Sequence, residues 1–377
     1  PTGTAPASTP VPGLVPTEIA PPEPTTSLPG LDDYLFGEPQ VVLTYTLGGT
    51  KLIDWLPDNR RLLLELETGD PVLHNRIVTL DVETGEVVEY GRRPELDIKP
   101  VWVEKYQGVA FPFLKLNGPS ELRFGKAGGQ VLILDTGYFP VTVDPRTGRI
   151  FYQKLIPGDP LRAIEPTGDA ISVIPFDTIS LPLGIPLIDP NGKHLAVLGR
   201  MDLPVVDLEQ EQVRIYDFSA ISQWPGISWV AQDGVWNSDG QALALDLVAA
   251  ADSADMFYFE ERVAILDVTI GQVHAFDLPS QWLDEIDWAP DGRHLLVKAS
   301  YESAPNEEDP EKADQPNLFW FVDTTTGNYQ EFDLFALDYP TSSRFFMTWS
   351  PNGKRLAWLY QVAGGGGVFV SEVEIGH

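Results

Sequence analysis

Two turn motifs that alternate along the 377 residues, a content of 33 Gly and 34 Pro, and a near absence of helical periodicity predict an all-β chain. The motifs recur at intervals that hold four strands each. Four-stranded units of that size pack around an axis as the blades of a β-propeller. Counting copies of the second motif gives six blades, with seven as the alternative. A solenoid, the competing repeat architecture, is built from shorter or helical units.

The N-terminal stretch is different in kind. Residues 1–30 hold nine Pro and six Thr, no aromatic residue, and only Glu18 and Glu23 as charges. Such a segment has nothing to bury and favours an extended, semi-rigid chain. Residues 1–40 are therefore expected to form a Pro/Thr-rich tether or docking arm, and residues 41–377 the propeller. The chain begins at Pro1 without a basic-then-apolar leader, which reads as a trimmed form.

The first motif is an apolar strand end, a polar turn and a second apolar strand. Residues 286–297 read IDWAPDGRHLLV, 347–358 MTWSPNGKRLAW and 186–197 PLIDPNGKHLAV. Weaker copies lie at 53–64 and 234–245. Pro sets a turn corner, Asp or Asn accepts local backbone hydrogen bonds, and Gly takes the positive φ that returns the chain. The Trp ahead of the turn is large enough to fill the space between sheets. The turn positions at 188, 236, 288 and 349 are 48, 52 and 61 residues apart, the length of one blade.

The second motif is a strand, an Asp-initiated turn ending in Gly, and a further strand. Copies occupy 78–90, 141–152, 263–276 and 319–332, with looser ones at 213–221 and 368–376. Asp followed four residues later by Gly suits a type I turn closed by a left-handed Gly. The region 100–187 is the least regular: Trp102 opens a candidate blade, while a candidate turn at 164–173 lies too close to Ile188 for both to start one. The last unit has three strands, near 345–350, 355–362 and 367–374, and the chain then ends. Residues 41–47 (VVLTYTL) form a strand without a blade, so N- and C-terminal strands sharing one blade should close the ring.

The paired patterns W-x-P-D/N-G-R/K-x-L and V-x-x-D-x-x-T-G resemble the WD40-like repeats of TolB-type β-propellers over most of residues 41–376. That resemblance implies the fold. It also implies an exported bacterial protein, periplasmic or at the cell surface, whose Thr/Pro-rich leader follows a signal segment or lipid anchor. The group spans translocation proteins and peptidase-associated domains, so the resemblance carries little about activity. No α/β-hydrolase half follows the propeller, which argues against the complete peptidase form.

Lys and Arg number 25 against 55 Asp and Glu, a formal charge of −30. That surface repels phosphate backbones and anionic lipid, which excludes a nucleic-acid binder and disfavours membrane docking. There is no Cys, hence no disulfide, thiolate nucleophile or Cys-held metal. No apolar run is long enough to span a bilayer.

Motifs with recognisable chemistry are lacking: no G-x-S-x-G, no phosphate-binding loop and no H-E-x-x-H. His194 and His294 occupy equivalent repeat positions, which argues for a structural role; His74 and His274 have no ligand partner at metal spacing, and His377 is terminal. Two acidic insertions, 252–261 and 302–314, fall between the second and third strands of their blades and should emerge on one face of the ring. The simple reading makes them solvated loops. The sharper one is a Ca²⁺ site using Asp252, Asp255, Glu307, Glu308 and Asp309, although neither segment matches a known Ca²⁺-loop pattern. Met256, Phe257, Tyr258 and Phe259 form an apolar tip that either packs on a neighbouring blade or contacts a partner.

The expected function is therefore a non-catalytic propeller without a cofactor. It would be a protein-interaction or structural subunit, contacting other proteins through its Pro-rich arm and the two insertions. The alternative is a propeller hydrolase or lyase acting on a polysaccharide or small ester at the central channel, whose residues the sequence does not identify.

Overall fold

The computed structural model describes residues 30–376 except 31–32, 46–49, 69–73, 95–97, 116–117, 138–140, 153–160, 168–171, 174–184, 200–201, 219–220, 222–226, 252–260, 277, 279–281, 301–317, 332–345 and 363–364. Its strands fall into seven antiparallel sheets. The first two strands, β1 (Tyr34–Phe36) and β2 (Gln40–Tyr45), belong to the last sheet. Blade 1 is β3 (Thr50–Trp55), β4 (Arg61–Leu66), β5 (Asn75–Asp81) and β6 (Val87–Arg93). Blade 2 is β7 (Val101–Val103), β8 (Gly108–Phe113), β9 (Glu121–Lys126) and β10 (Gln130–Thr136). Blade 3 is β11 (Val141–Val143), β12 (Ile150–Tyr152), β13 (Arg162–Ile164) and β14 (Ser172–Val173). Blade 4 is β15 (Ile185–Ile188), β16 (His194–Leu198), β17 (Asp202–Asp207) and β18 (Gln212–Asp217). Blade 5 is β19 (Ile227–Trp236), β20 (Ala242–Ala251), β21 (Glu261–Asp267) and β22 (Gln272–Phe276). Blade 6 is β23 (Trp282–Trp288), β24 (His294–Ser300), β25 (Leu318–Asp323) and β26 (Tyr329–Glu331). Blade 7 is β27 (Met347–Trp349), β28 (Arg355–Val362) and β29 (Gly365–Ile375), completed by β1 and β2.

The ring thus has seven blades, which corrects the count of six and bears out the alternative. The second motif misleads at three copies. At 141–152 its Asp144 turn joins the first and second strands of blade 3, the copy at 213–221 starts within the fourth strand of blade 4 and that at 368–376 within the third of blade 7, whereas 78–90, 263–276 and 319–332 join third strands to fourth. Blade 2 turns between its outer strands on Lys126 to Gln130 instead, through Gly128 and Gly129 at φ 85° and 78°, and carries no Asp-Thr-Gly signal. The candidate turn at 164–173 joins β13 to β14 and starts no blade.

Both motifs fold as their chemistry requires. Asp81 accepts the backbone N–H groups of Glu83 and Thr84 at 3.0 and 2.9 Å, and Gly85 at φ 71° returns the chain. Asp267 and Asp323 do the same in blades 5 and 6. In blade 4 Glu211 occupies the corresponding left-handed position at φ 53°. The two turns of a blade sit side by side: Thr324 N–H donates to the Arg293 carbonyl, and the Arg293 guanidinium grips Asp323. In blade 1 Arg60 pairs with Asp81 in the same way.

Seven apolar clusters hold the blades together, one at each junction, from Tyr90 against Phe111 between blades 1 and 2 to Leu62 against Val368 between blades 1 and 7. The repeat Trp residues are buried as expected. Three also act as donors between neighbouring innermost strands. Trp55 Nε1 donates to the Thr348 carbonyl (3.0 Å), Trp236 Nε1 to Leu187 (3.1 Å) and Trp288 Nε1 to Val235 (2.9 Å).

Closure is made by the chain ends. Strand β29 pairs with β28 along one edge and with β2, then β1, along the other. Gly37 N–H donates to the Glu372 carbonyl at 2.9 Å between those two pairings. Tyr34 lies in the stretch expected to be an arm. It is buried because its ring packs edge-on against Phe321 and Trp349 while its hydroxyl donates to Asp291 (2.7 Å). Among the described residues no helix is long and apolar enough to cross a membrane.

Candidate functional site in the central channel

From blade 2 round to blade 1 the first strands of successive blades touch, ending with β27 on β3 across the closure, so their side chains line a central channel. Four carboxylates converge there: Asp54 from blade 1, Asp233 from blade 5, and Glu285 and Asp287 from blade 6. All four act on Lys99, in the link between blades 1 and 2. Lys298 on β24 faces Glu285, and the two share a small recess with Asp287, Leu296 and Met347.

Local backbone places each group. Asp54 and Asp287 precede a repeat Trp, so strand alternation turns them away from the pocket that the indole fills. Asp54 accepts the Trp55 N–H at 2.7 Å and the Thr348 hydroxyl at 3.3 Å. Asp287 accepts the Trp349 N–H at 3.1 Å. Asp233 and Glu285 each follow a register shift, at Ala231/Asp233 in β19 and Leu283/Glu285 in β23; such bulges re-aim side chains. Glu285 also accepts the Met347 N–H at 3.3 Å.

Lys99 is set by a buried ion pair. Arg93 and Glu65 are both 0 % exposed and meet at 2.5 Å. Asn75 donates to the other Glu65 oxygen at 3.0 Å, and Arg93 Nη1 donates to the carbonyl of Ile98, the residue before Lys99.

Asp54, Asp233 and Lys99 are open to solvent and Glu285 and Asp287 half-buried, as befits a wet channel encircled by protein. Loss of bulk water raises Asp54, Glu285 and Asp287 above the usual carboxylate range. Asp287 is pushed up to about 7, its burial reinforced by the charges of Asp54 and Glu285 against the Trp349 N–H. Burial pulls Lys99 down, but Glu285, Asp233, Asp54 and Asp287 outweigh it, so it stays firmly protonated. The cluster therefore sets a protonated lysine among carboxyls that hold their protons more tightly than usual, Asp287 exchanging its own near neutrality. It contains no histidine, and its hydroxyl, Thr348, bonds to Asp54.

No arrangement of three or more metal-ligating side chains occurs among the described residues. Asp252, Asp255, Met256, Phe257, Tyr258 and Phe259 lie outside the described residues, as do Glu307, Glu308 and Asp309. The flanking strands do place both insertions between the second and third strands of blades 5 and 6. His194 and His294 bond through Nδ1 to the turn acids Asp189 (3.0 Å) and Asp291 (2.5 Å), and they stack on Trp236 and Phe321.

Sequence reasoning missed the channel groups. One signal was available for two of them. The residue before the repeat Trp is Asp54, Val235, Asp287 or Thr348, varying where the Trp does not.

The fold and this site define a seven-bladed β-propeller with a charged central channel, the fold class that the repeat resemblance implied. Among solved structures the chain is similar to the crystal structure of TolB from Acinetobacter baumannii, with a TM-score of 0.41 and 14 % identity, covering 80 % of this chain and 77 % of that one. No protein-family model and no curated protein matches it.

Proposed function

We propose that this propeller is a non-catalytic recognition subunit, exported and held at the cell envelope by its Pro/Thr-rich leader. We infer that it takes a basic side chain of a partner protein into the channel mouth. The carrying observation is the cluster itself: four carboxylates on rigid innermost strands, answered by Lys99 and Lys298. A cation entering such a site meets preorganised charge, and a net charge of −30 steers basic partners toward it. The test is affinity capture from the native envelope with mass spectrometry, comparing the native chain with Asp54→Asn/Glu285→Gln. A stoichiometric partner lost from the double variant and at high salt supports the reading. Equal capture by both proteins overturns it.

One observation favours a second reading, hydrolysis or elimination on a polysaccharide. Asp287 exchanges its proton near neutrality beside Asp54, and a pair of carboxyls of which one can donate a proton is what glycosidic cleavage uses. Polysaccharide turnover abolished by Asp287→Asn would establish it in place of the first.

A further inference from the structure

The geometry points to a second binding surface, away from the channel, on the outer edge of blade 2: we propose that β10 accepts an extended, acidic and apolar peptide segment of another protein as an added strand. Among the described residues strand β10 is the last of its sheet, paired with β9 alone, so its other edge presents unpaired backbone groups. Its Val131, Leu132 and Ile133 are 41 %, 42 % and 52 % exposed, the one run of three consecutive exposed large apolar residues among the described residues. On the outer strands of blades 4 and 6, by contrast, the exposed apolar residues Ile215 and Tyr329 stand singly. The register shift between Ile133 and Asp135 ends the regular edge, leaving 130–133 as its straight portion.

Beside this edge runs a groove of about 310 Å³ between blades 1 and 2. Gly91, Phe113 and Val131 line it together with Arg92, Arg123 and His74. A Cβ at Gly91 would run into the buried Phe111 ring, so glycine keeps that wall low. Charge selects the occupant. Arg76 and Arg92 share Glu89, and Lys115 and Arg123 share Glu121, so four cations face two carboxylates in a chain of strongly negative charge. The Arg123 guanidinium lies 3.4 Å over the Phe113 ring, and His74 holds a left-handed backbone (φ 56°) with its Nδ1 buried and unpartnered among the described residues. Ile133 lies directly opposite Arg123, so an added strand would send its acidic side chains to Arg92 and Arg123 on the face shared with Val131 and Ile133, and lay the alternate apolar ones beside Leu132 on the other face. The chain's own residues 1–30 suit this edge poorly, since their nine Pro lack the N–H donors that pairing needs.

The test uses a fluorescein-labelled, end-capped Glu-Val-Glu-Val-Glu-Val peptide titrated against the full chain by anisotropy. A Lys-Val-Lys-Val-Lys-Val peptide is the control. Amide exchange of residues 130–133 is followed in parallel. Saturable binding of the acidic peptide with slowed exchange at 130–133 is expected, weakened about tenfold by Arg92→Glu and about tenfold by Leu132→Asp. Both side chains are exposed, and unchanged melting shows that the variants fold. The channel variant Asp54→Asn/Glu285→Gln should bind the peptide as the native chain does, which separates this surface from the channel. Equal binding of both peptides overturns the proposal, as does binding that survives both substitutions. Strong protection of every amide in 130–133 in the free chain also overturns it, because the alternate ones that do not bond to β9 would already be covered.

Discussion

Removing the carboxylate of Glu65 tests how the channel lysine is held. Glu65 and Arg93 are fully buried, so Glu65→Gln leaves a guanidinium without its counter-charge inside blade 1. Breaking one side of such a pair costs about 3–5 kcal/mol, several times the value of a surface pair. Asn75 also loses its charged acceptor, a smaller addition of about 1 kcal/mol. The single variant should therefore unfold at a clearly lower urea midpoint with an unchanged slope. The double variant Glu65→Leu/Arg93→Met removes both charges together and should recover most of the loss, because an apolar pair of similar size avoids the desolvation that the ions suffer. It would still lack the Arg93 bond to the Ile98 carbonyl, so the channel carboxylates should titrate higher as Lys99 loses its fixed place. Isotope-edited infrared or NMR of the carboxyl groups reads that shift. A loss below about 1 kcal/mol for Glu65→Gln would refute the reasoning, since the pair would then be solvated or dispensable.

Three further outcomes are expected. Asp287 binds its proton up to about pH 7 in the fold but only to about 4 when unfolded, so the folded state holds the extra proton between these values and stability falls as pH rises through that window. Asp287→Asn should flatten that slope and raise the denaturation midpoint at pH 8, on the order of 1–2 kcal/mol, while leaving pH 4 unchanged. Glu211→Gly should stabilise the chain by roughly 1 kcal/mol, because it relieves a side chain held at φ 53°, and a lowered melting temperature would contradict the turn assignment. Gly125→Ala should cost on the order of 1–3 kcal/mol by calorimetry, since its Cβ would overlap the Tyr90 carbonyl across the junction of blades 1 and 2.

The architecture was legible wherever both motifs kept their places. The Trp turns at 53–64, 234–245, 286–297 and 347–358, with the turn at 186–197, mark the first two strands of five blades, and the closing role of 41–47 follows from a strand count. Blades 2 and 3 were merged because local turn chemistry reports a hairpin, not its place in the sheet: the Asp144 hairpin is inner and the Gly128-Gly129 hairpin carries no acid. The additional strand Tyr34–Phe36 was hidden for a related reason, since three residues in a Pro-rich setting give no periodicity and what orders them is the aromatic pocket of blades 6 and 7. The channel was half legible. Asp54 and Asp287 sit in a fixed repeat position, whereas Asp233 and Glu285 lie off it just past bulges of the kind that also precedes Asp54, and Lys99 depends on an ion pair between residues 28 positions apart.

Because the final strand zips onto the first two, the ring is a clasp whose halves are made at opposite ends of synthesis. An emerging chain must carry residues 34–45 uncommitted until residues 365–375 have left the ribosome, and until then the part-built crescent has two sticky rims. Two such crescents held close together could exchange clasps and yield an interlocked dimer. Delaying chain termination or crowding nascent chains should therefore favour swapped assemblies over single closed rings.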